Sequence, residues 1–131
     1  MYLITRRYHW EAAHFLPHVP EEHKCKRLHG HNYELEVTLG AGMLDQRGWL
    51  LDFWDLDKLV QPIVDTIDHR CLNDIDGLHN PTAEEIAVWF HRRLAPKLAP
   101  PARIHELKVY ETKDAIAVFR PETELVIKRE G

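Results

Sequence analysis

Two histidines separated by a single residue, His29 and His31, are the residues of this sequence best suited to chemistry. Side chains of a β-strand alternate between its two faces, so both imidazoles lie on one side if the segment is extended. Apolar residues at alternate positions predict this strand and place both histidines on its packed side: Tyr33, Leu35, Val37 and Leu39. Imidazoles on a packed face need a polar partner, and a divalent metal is the best candidate.

A third histidine and a cysteine could join this pair. His14 is in phase with the apolar residues of the preceding segment, and Cys25 comes four residues before His29. Three imidazoles and an open position are typical of catalytic zinc, whereas a fourth protein ligand closes a structural site. Cys25 is therefore either a reactive thiol beside a catalytic metal or the fourth ligand of a structural one.

Glu111 is in phase with Leu107 and Val109 at the end of a predicted strand. Its carboxylate either enters a partly buried pocket or is simply exposed at the strand end. In a pocket it would need hydrogen-bond donors, and the adjacent N–H groups of a 2-amino-4-oxo pterin or a guanine ring would suit it.

Two other groups of charged residues could contribute to a site. Asp68 and His69 close a predicted helix, whose dipole favours an imidazolium there. His69 is therefore either a proton donor near neutral pH or part of a charge pair without chemistry. The basic residues Lys24, Lys26 and Arg27 either receive phosphates or are simply solvated. Of these, Lys24 and Arg27 are taken as candidate substrate contacts.

Alternating hydrophobicity predicts four strands in this chain. They are expected over residues 2–16, 29–39, 104–111 and 115–120. Residues 122–129 could add a final edge segment.

Two amphipathic helices are predicted between the second and third strands. Apolar residues at three- and four-residue spacing run from Leu56 to Ile67, with Asp55 as the expected N-cap and Asp52 as the alternative. The second helix begins with a capping box at Thr82 and ends at Pro96. The order β-β-α-α-β-β predicts an α+β fold in which both helices lie on one face of a four-stranded antiparallel sheet. The open sheet edges favour oligomerisation.

Length and composition exclude several classes of protein. With 131 residues, 44% of them hydrophobic and 29% charged, the chain is expected to form one domain over 1–131. A net charge of -4 argues against nucleic-acid binding, and no apolar run reaches the roughly 20 residues of a membrane helix. The N-terminus lacks a signal peptide and two cysteines are too few for a disulfide framework, so a cytoplasmic location is expected.

Several short motifs follow one another in a characteristic order. They are Glu11-Ala12-Ala13-His14, Cys25-x-x-x-His29-Gly30-His31-Asn32-Tyr33, Asp52-Phe53, Ile67-Asp68-His69, Leu72-Asn73, Asn80-Pro81-Thr82-x-Glu84 and Val109-Tyr110-Glu111-Thr112. Together they resemble the 6-pyruvoyl-tetrahydropterin synthase family, which has the tunnelling fold. The likeness covers nearly the whole chain, with Ile67 as a conservative change from the family's Leu. Leu16-Pro17-His18-Val19-Pro20 followed by Lys24-Cys25 is closest to a bacterial branch of the family that acts in queuosine biosynthesis.

The resemblance implies a zinc ion and a proton-transfer group. The implied zinc ligands are His14, His29 and His31. Cys25 would be the base, and Asp68 and His69 would assist proton transfer.

The resemblance also implies how substrate and subunits are arranged. Glu111 would bind the ring of a small-molecule pterin. Thr82, Lys24 and Arg27 are further candidate substrate contacts. The family assembles trimers that stack into hexamers with active sites at subunit interfaces, so a homo-oligomer is expected.

The implied reaction converts 7,8-dihydroneopterin triphosphate to 6-carboxy-5,6,7,8-tetrahydropterin, with release of acetaldehyde and triphosphate. The nearest alternatives are the 6-pyruvoyl product of the same first steps and turnover of dihydroneopterin or sepiapterin. An alternative of a different class is a zinc-stabilised pterin-binding protein, with Cys25 as the fourth ligand and no turnover.

Overall fold

A computed structural model describes residues 1–121 of the chain. Its strands are β1 (Tyr2–His14), β2 (His29–Ala41), β3 (Arg70–Cys71), β4 (Arg103–Thr112) and β5 (Ala115–Phe119). Its α-helices are α1 (Phe53–Asp65) and α2 (Ala83–Leu94). The predicted α+β fold is confirmed, while the edge segment predicted over 122–129 lies outside the described residues.

β1 and β2 form the centre of the sheet and pair antiparallel along their whole lengths. This register places His14 opposite His29, and Ala12 opposite His31. Alternate side chains of the sheet pack against both helices in one core, which includes Trp10, Leu35, Val37, Leu107, Val109, Leu56, Val60, Ile86 and Phe90. No helix of the described residues is long and apolar enough to cross a bilayer.

The four predicted strands pair antiparallel as expected, but the sheet has a fifth strand, in the order β3-β1-β2-β4-β5, so the predicted number of strands is wrong. β3 pairs in parallel with β1 at Ala12 and Ala13. A two-residue strand is too short to show any hydrophobic period, and only the path of the chain after α1 reveals it.

α1 begins and ends earlier than predicted. Its N-cap is the alternative residue, Asp52, whose carboxylate accepts the Trp54 N–H, so the preferred cap at Asp55 is wrong. Phe53 and Trp54 are exposed. The buried apolar residues from which the helix was predicted therefore begin about one turn after the helix itself begins. At the other end, the helix stops at Asp65.

The N-terminus of α2 lies at the predicted residue, but the predicted capping box is only half formed, because the Thr82 N–H donates to the Asn80 carbonyl and not to the Glu85 carboxylate. Thr82 is the N-cap, and its hydroxyl accepts the Glu85 N–H at 3.1 Å. The helix ends at Leu94, ahead of Pro96. Its first turn brings Thr82 and the preceding Pro81 to the end of the sheet that carries the three histidines.

Candidate metal centre and active site

The structure brings His14, His29 and His31 together at one end of the β1–β2 pair. One nitrogen of each ring lies within 4.8 Å of the corresponding atoms of the other two. His14 is only 1% exposed, whereas His29 and His31 are half-buried. The antiparallel register creates this group, because it places the last residue of β1 opposite the first residue of β2.

Main-chain carbonyls fix the protons on two of these rings. The Nδ1 atom of His14 lies 2.9 Å from the Pro81 carbonyl, and that of His29 lies 2.7 Å from the Arg27 carbonyl. A carbonyl only accepts, so both Nδ1 atoms donate and both Nε2 atoms carry a lone pair when the rings are neutral. Burial lowers the pKa of His14, which favours the neutral ring. Histidine ligands of metals are commonly oriented by this kind of hydrogen bond.

The third ring supplies a buried nitrogen without a partner. His31 Nε2 is inaccessible to solvent and makes no hydrogen bond among the described residues. Burial also lowers the pKa of His31, so its neutral form is favoured. A buried polar atom without a partner is costly, and a metal ion would satisfy it. The three imidazoles are thus a donor set that fits zinc.

Cys25 lies in a short 3₁₀ turn, Lys24–Lys26, and its side chain is half-buried. Its N–H donates to His23 Nδ1 at 3.0 Å, and its carbonyl accepts the Leu16 N–H at 2.8 Å. Among the described residues, the group of converging metal-ligand atoms does not include the Cys25 thiol. This arrangement favours a three-histidine centre with an open position over a closed four-ligand site.

Glu111 lies beside the histidines at an irregularity of the sheet. The register between β4 and β5 shifts between Tyr110 and Thr112, and a bulge of this kind re-aims a side chain. The Glu111 side chain is 28% exposed, and its Oε1 lies 3.7 Å from His31 Nε2. Glu111 and Thr82 both line a cavity of about 340 Å³. The structure therefore supports the pocket interpretation of Glu111 over the exposed one.

Asp68 and His69 lie beyond the end of α1, so the helix-end position predicted for His69 is wrong. His69 has a φ of 59°, a conformation that cannot continue a helix. Its Nδ1 lies 2.9 Å from Asp68 Oδ1, and its Nε2 lies 3.2 Å from Glu11 Oε2. The Glu11 N–H donates to Asp68 at 3.0 Å and holds the pKa of that carboxyl below its usual range. In the described part of the chain, no hydrogen bond joins either residue to Cys25.

The predicted phosphate contacts, Lys24 and Arg27, are more exposed than the neighbouring Lys26. Lys26 is held in its loop, where it donates to the Pro17 carbonyl at 2.7 Å. Lys24 and Arg27 are exposed, and neither forms an ion pair with another described residue. Their side chains are thus available to an anion.

Sequence reasoning assigned no role in the site to Tyr33 or Glu11. The Tyr33 hydroxyl lies 3.1 Å from His14 Nδ1, and its ring stacks on Trp10. Burial raises the pKa of Tyr33, so the hydroxyl stays protonated. A tyrosine two residues after His31 on the packed face was a signal for this contact. No pattern in the sequence pointed to Glu11 as the partner of His69.

Comparison with known proteins gives consistent similarities. The family model described as 6-pyruvoyl tetrahydropterin synthase matches residues 3–122. A Synechocystis protein named 6-carboxy-5,6,7,8-tetrahydropterin synthase is 38% identical, over 91% of this chain and 93% of that protein. A Pyrococcus furiosus protein named dihydroneopterin monophosphate aldolase is 33% identical, over 82% and 88% respectively. The solved structure of Caenorhabditis elegans 6-pyruvoyl tetrahydropterin synthase superposes with a TM-score of 0.82 at 26% identity, covering 92% of this chain and 96% of that one.

Proposed function

The chain belongs to the 6-pyruvoyl tetrahydropterin synthase family, and from this premise we propose that it forms 6-carboxy-5,6,7,8-tetrahydropterin from 7,8-dihydroneopterin triphosphate. The other products are acetaldehyde and triphosphate, and one water is consumed. Family membership makes the chain an enzyme of the lyase type. The observation that carries the proposal is the convergence of three histidine nitrogens beside the Glu111 carboxylate. A site for a Lewis acid thus lies next to a group that can bind ring N–H donors.

The proposed metal is zinc, held by His14, His29 and His31. The fit rests on two Nδ1 protons directed to carbonyls and on the buried, unpartnered Nε2 of His31. When bound, zinc supplies Lewis acidity that makes C–H protons next to the substrate's side-chain oxygens easier to remove.

Protein groups around the centre have distinct proposed roles. The Glu111 carboxylate accepts two N–H groups of the pterin ring, a charge-assisted pairing that fixes the ring's orientation. The Cys25 thiolate removes a proton from the substrate's side chain as the general base. Asp68 and His69, already hydrogen-bonded to each other, return a proton to the substrate.

The remaining substrate contacts are proposed at the edge of the centre. Thr82 lines the same cavity as Glu111, which supports a contact between Thr82 and the ring. Lys24 and Arg27 are exposed and without described ion-pair partners, and they are proposed to bind the triphosphate.

Two features of the chain support a homo-oligomer, a trimer or a hexamer, with active sites at subunit interfaces. β3 covers β1 only at Ala12 and Ala13, so most of this edge of the described sheet is open to pairing. The Asp68–His69 pair is hydrogen-bonded to Glu11, and no hydrogen bond among the described residues joins it to Cys25. A second copy of the chain would supply the pair that a thiol in the first copy needs.

The product assay that tests the proposal uses purified, zinc-loaded protein and 7,8-dihydroneopterin triphosphate, with mass spectrometry of the products. Carboxytetrahydropterin and acetaldehyde are expected, which would fit a place in queuosine biosynthesis in the cytoplasm. A 6-pyruvoyl product would contradict the proposed reaction within the same family. The Pyrococcus relative makes dihydroneopterin monophosphate the second substrate to test, and preference for it would indicate an aldolase. Full zinc binding without turnover of either substrate or of sepiapterin would indicate a binding protein.

A further inference from the structure

Asn73 holds the main chain directly after the metal ligand His14. Its Oδ1 accepts the Phe15 N–H at 3.0 Å, and its Nδ2 donates to the Phe15 carbonyl at 2.8 Å. One side-chain amide thus replaces the strand that would otherwise pair with β1 at this position. Both main-chain polar groups of Phe15 are hydrogen-bonded, so Asn73 fixes the main chain at the end of β1, directly after His14.

The same amide reaches the loop that orients the His14 ring. Asn73 Nδ2 lies 3.5 Å from the carbonyl of His79, two residues before Pro81. The Pro81 carbonyl in turn accepts the Nδ1 proton of His14. Asn73 therefore connects the main chain beside the ligand to the segment that fixes the ligand's proton.

We propose that Asn73 is a positioning residue of the metal centre, which aligns His14 by joining the end of β1 to the loop that contains Pro81. This inference rests on the proposed zinc site and extends it beyond the three ligands. Groups that orient metal ligands typically contribute roughly 10–100-fold to metal affinity. No hydrogen bond among the described residues joins Asn73 to the His14 ring, so its effect is transmitted through Phe15 and the loop.

Asn73→Asp isolates the two donated hydrogen bonds. The substitution keeps the size of the side chain and the acceptor for the Phe15 N–H. It removes both donations and turns a carboxylate oxygen towards the Phe15 and His79 carbonyls, which repel it. Asn73→Ala removes the amide without adding a charge, and it serves as the second variant if the aspartate form does not fold.

Tyr8→Phe is the matched control for a general loss of stability. It removes the 2.7 Å hydrogen bond from the Tyr8 hydroxyl to Asp57, on the same strand but six residues before His14. The control thereby loosens the packing of β1 against α1 while leaving the metal end of the strand intact.

The experiment measures zinc affinity of the full chain by competition with a chromophoric chelator, together with denaturant unfolding of the metal-free forms. We expect the Asn73 variants to bind zinc roughly 10–100-fold more weakly, and Tyr8→Phe to bind within about twofold of the wild type despite lower stability. Wild-type zinc affinity in the Asn73 variants, or an equal loss of zinc affinity in Tyr8→Phe, would overturn this inference but not the proposed zinc site. A wild-type protein that binds no zinc would overturn the proposed metal site and this inference with it.

Discussion

The Nε2 atoms of His14 and His29 lie 3.0 Å apart while the other nitrogen of each ring is directed to a main-chain carbonyl. In the neutral rings this arrangement sets two lone pairs against each other. A cation between them removes the repulsion, and burial lowers the pKa of His14, which disfavours a proton on that ring. The relationship between these two residues is the strongest local argument for a metal in this protein.

Zinc should stabilise the wild-type fold and lose this effect when one ligand is removed. A ligand that binds only the folded state adds about 2.7 kcal/mol to the free energy of unfolding at a free concentration 100 times its Kd. We expect zinc to raise the thermal midpoint of the wild type but not that of His31→Ala. His91→Ala is the matched control, since His91 is half-buried on α2 and packs against Phe119. An equal zinc effect in His31→Ala would contradict the three-histidine centre.

Cys25→Ala should separate catalysis from metal binding. Because the thiol lies outside the group of converging ligand atoms, the variant should keep its zinc content and lose turnover. Metal content by atomic spectroscopy and product formation are the two measurements. Cys71→Ser, which removes the other thiol but keeps a donor beside Asn73 Oδ1, should retain both. Loss of zinc in Cys25→Ala would identify the thiol as a fourth ligand, and full turnover would exclude it as the base.

The long strands were predictable because their hydrophobic alternation runs over many residues. The same alternation placed His14, His29 and His31 on packed faces, and the structure confirms that side-chain direction. Local periodicity could not give the register of β1 against β2, and this pairing is what makes the three rings converge. The alternation of apolar residues therefore predicted which face of each strand carries the histidines. Only the tertiary structure shows that the three rings converge.

Features made by the main chain left no signal in the residue types. The carbonyls of Arg27 and Pro81 orient two of the histidines, and any residue at those positions has a carbonyl. The N-cap of α1 was misplaced because Phe53 and Trp54 are apolar but exposed, so the first helical turn does not share the buried face. Such details depend on the path of the chain, which a one-dimensional pattern does not contain.

Glu111→Gln should weaken substrate binding while leaving the metal in place. The amide keeps the shape of the side chain but loses the charge that strengthens its hydrogen bonds to the ring. A hydrogen bond to a charged group contributes about 1.5–3 kcal/mol, so binding should weaken roughly 10–100-fold. Calorimetric titration of a pterin and zinc analysis measure the two effects. Glu106→Gln, which removes an acid on β4 that pairs with Arg120, should leave pterin binding unchanged. Loss of zinc in Glu111→Gln would contradict the ring-binding role.

The metal-free protein should lose stability as the pH falls below about 6.5, the ordinary pKa of histidine. Burial lowers the pKa values of His14 and His31 in the folded state. Below the ordinary value the unfolded chain therefore binds more protons than the folded one, and the free energy of unfolding decreases with falling pH. The decrease should end once the pH is below the folded-state pKa values, since both states are then protonated.

Denaturant unfolding in the presence of a chelator, from about pH 7.5 to 5, measures this dependence. His31→Asn cannot be protonated and should show a smaller decrease than the wild type over the same range. Burial also lowers the pKa of His91, so His91→Asn should remove a separate part of the decrease at a position remote from the metal centre. The double variant should lose both parts, because distant sites contribute additively. Parallel curves for His31→Asn and the wild type would show that His31 is not held neutral by the fold.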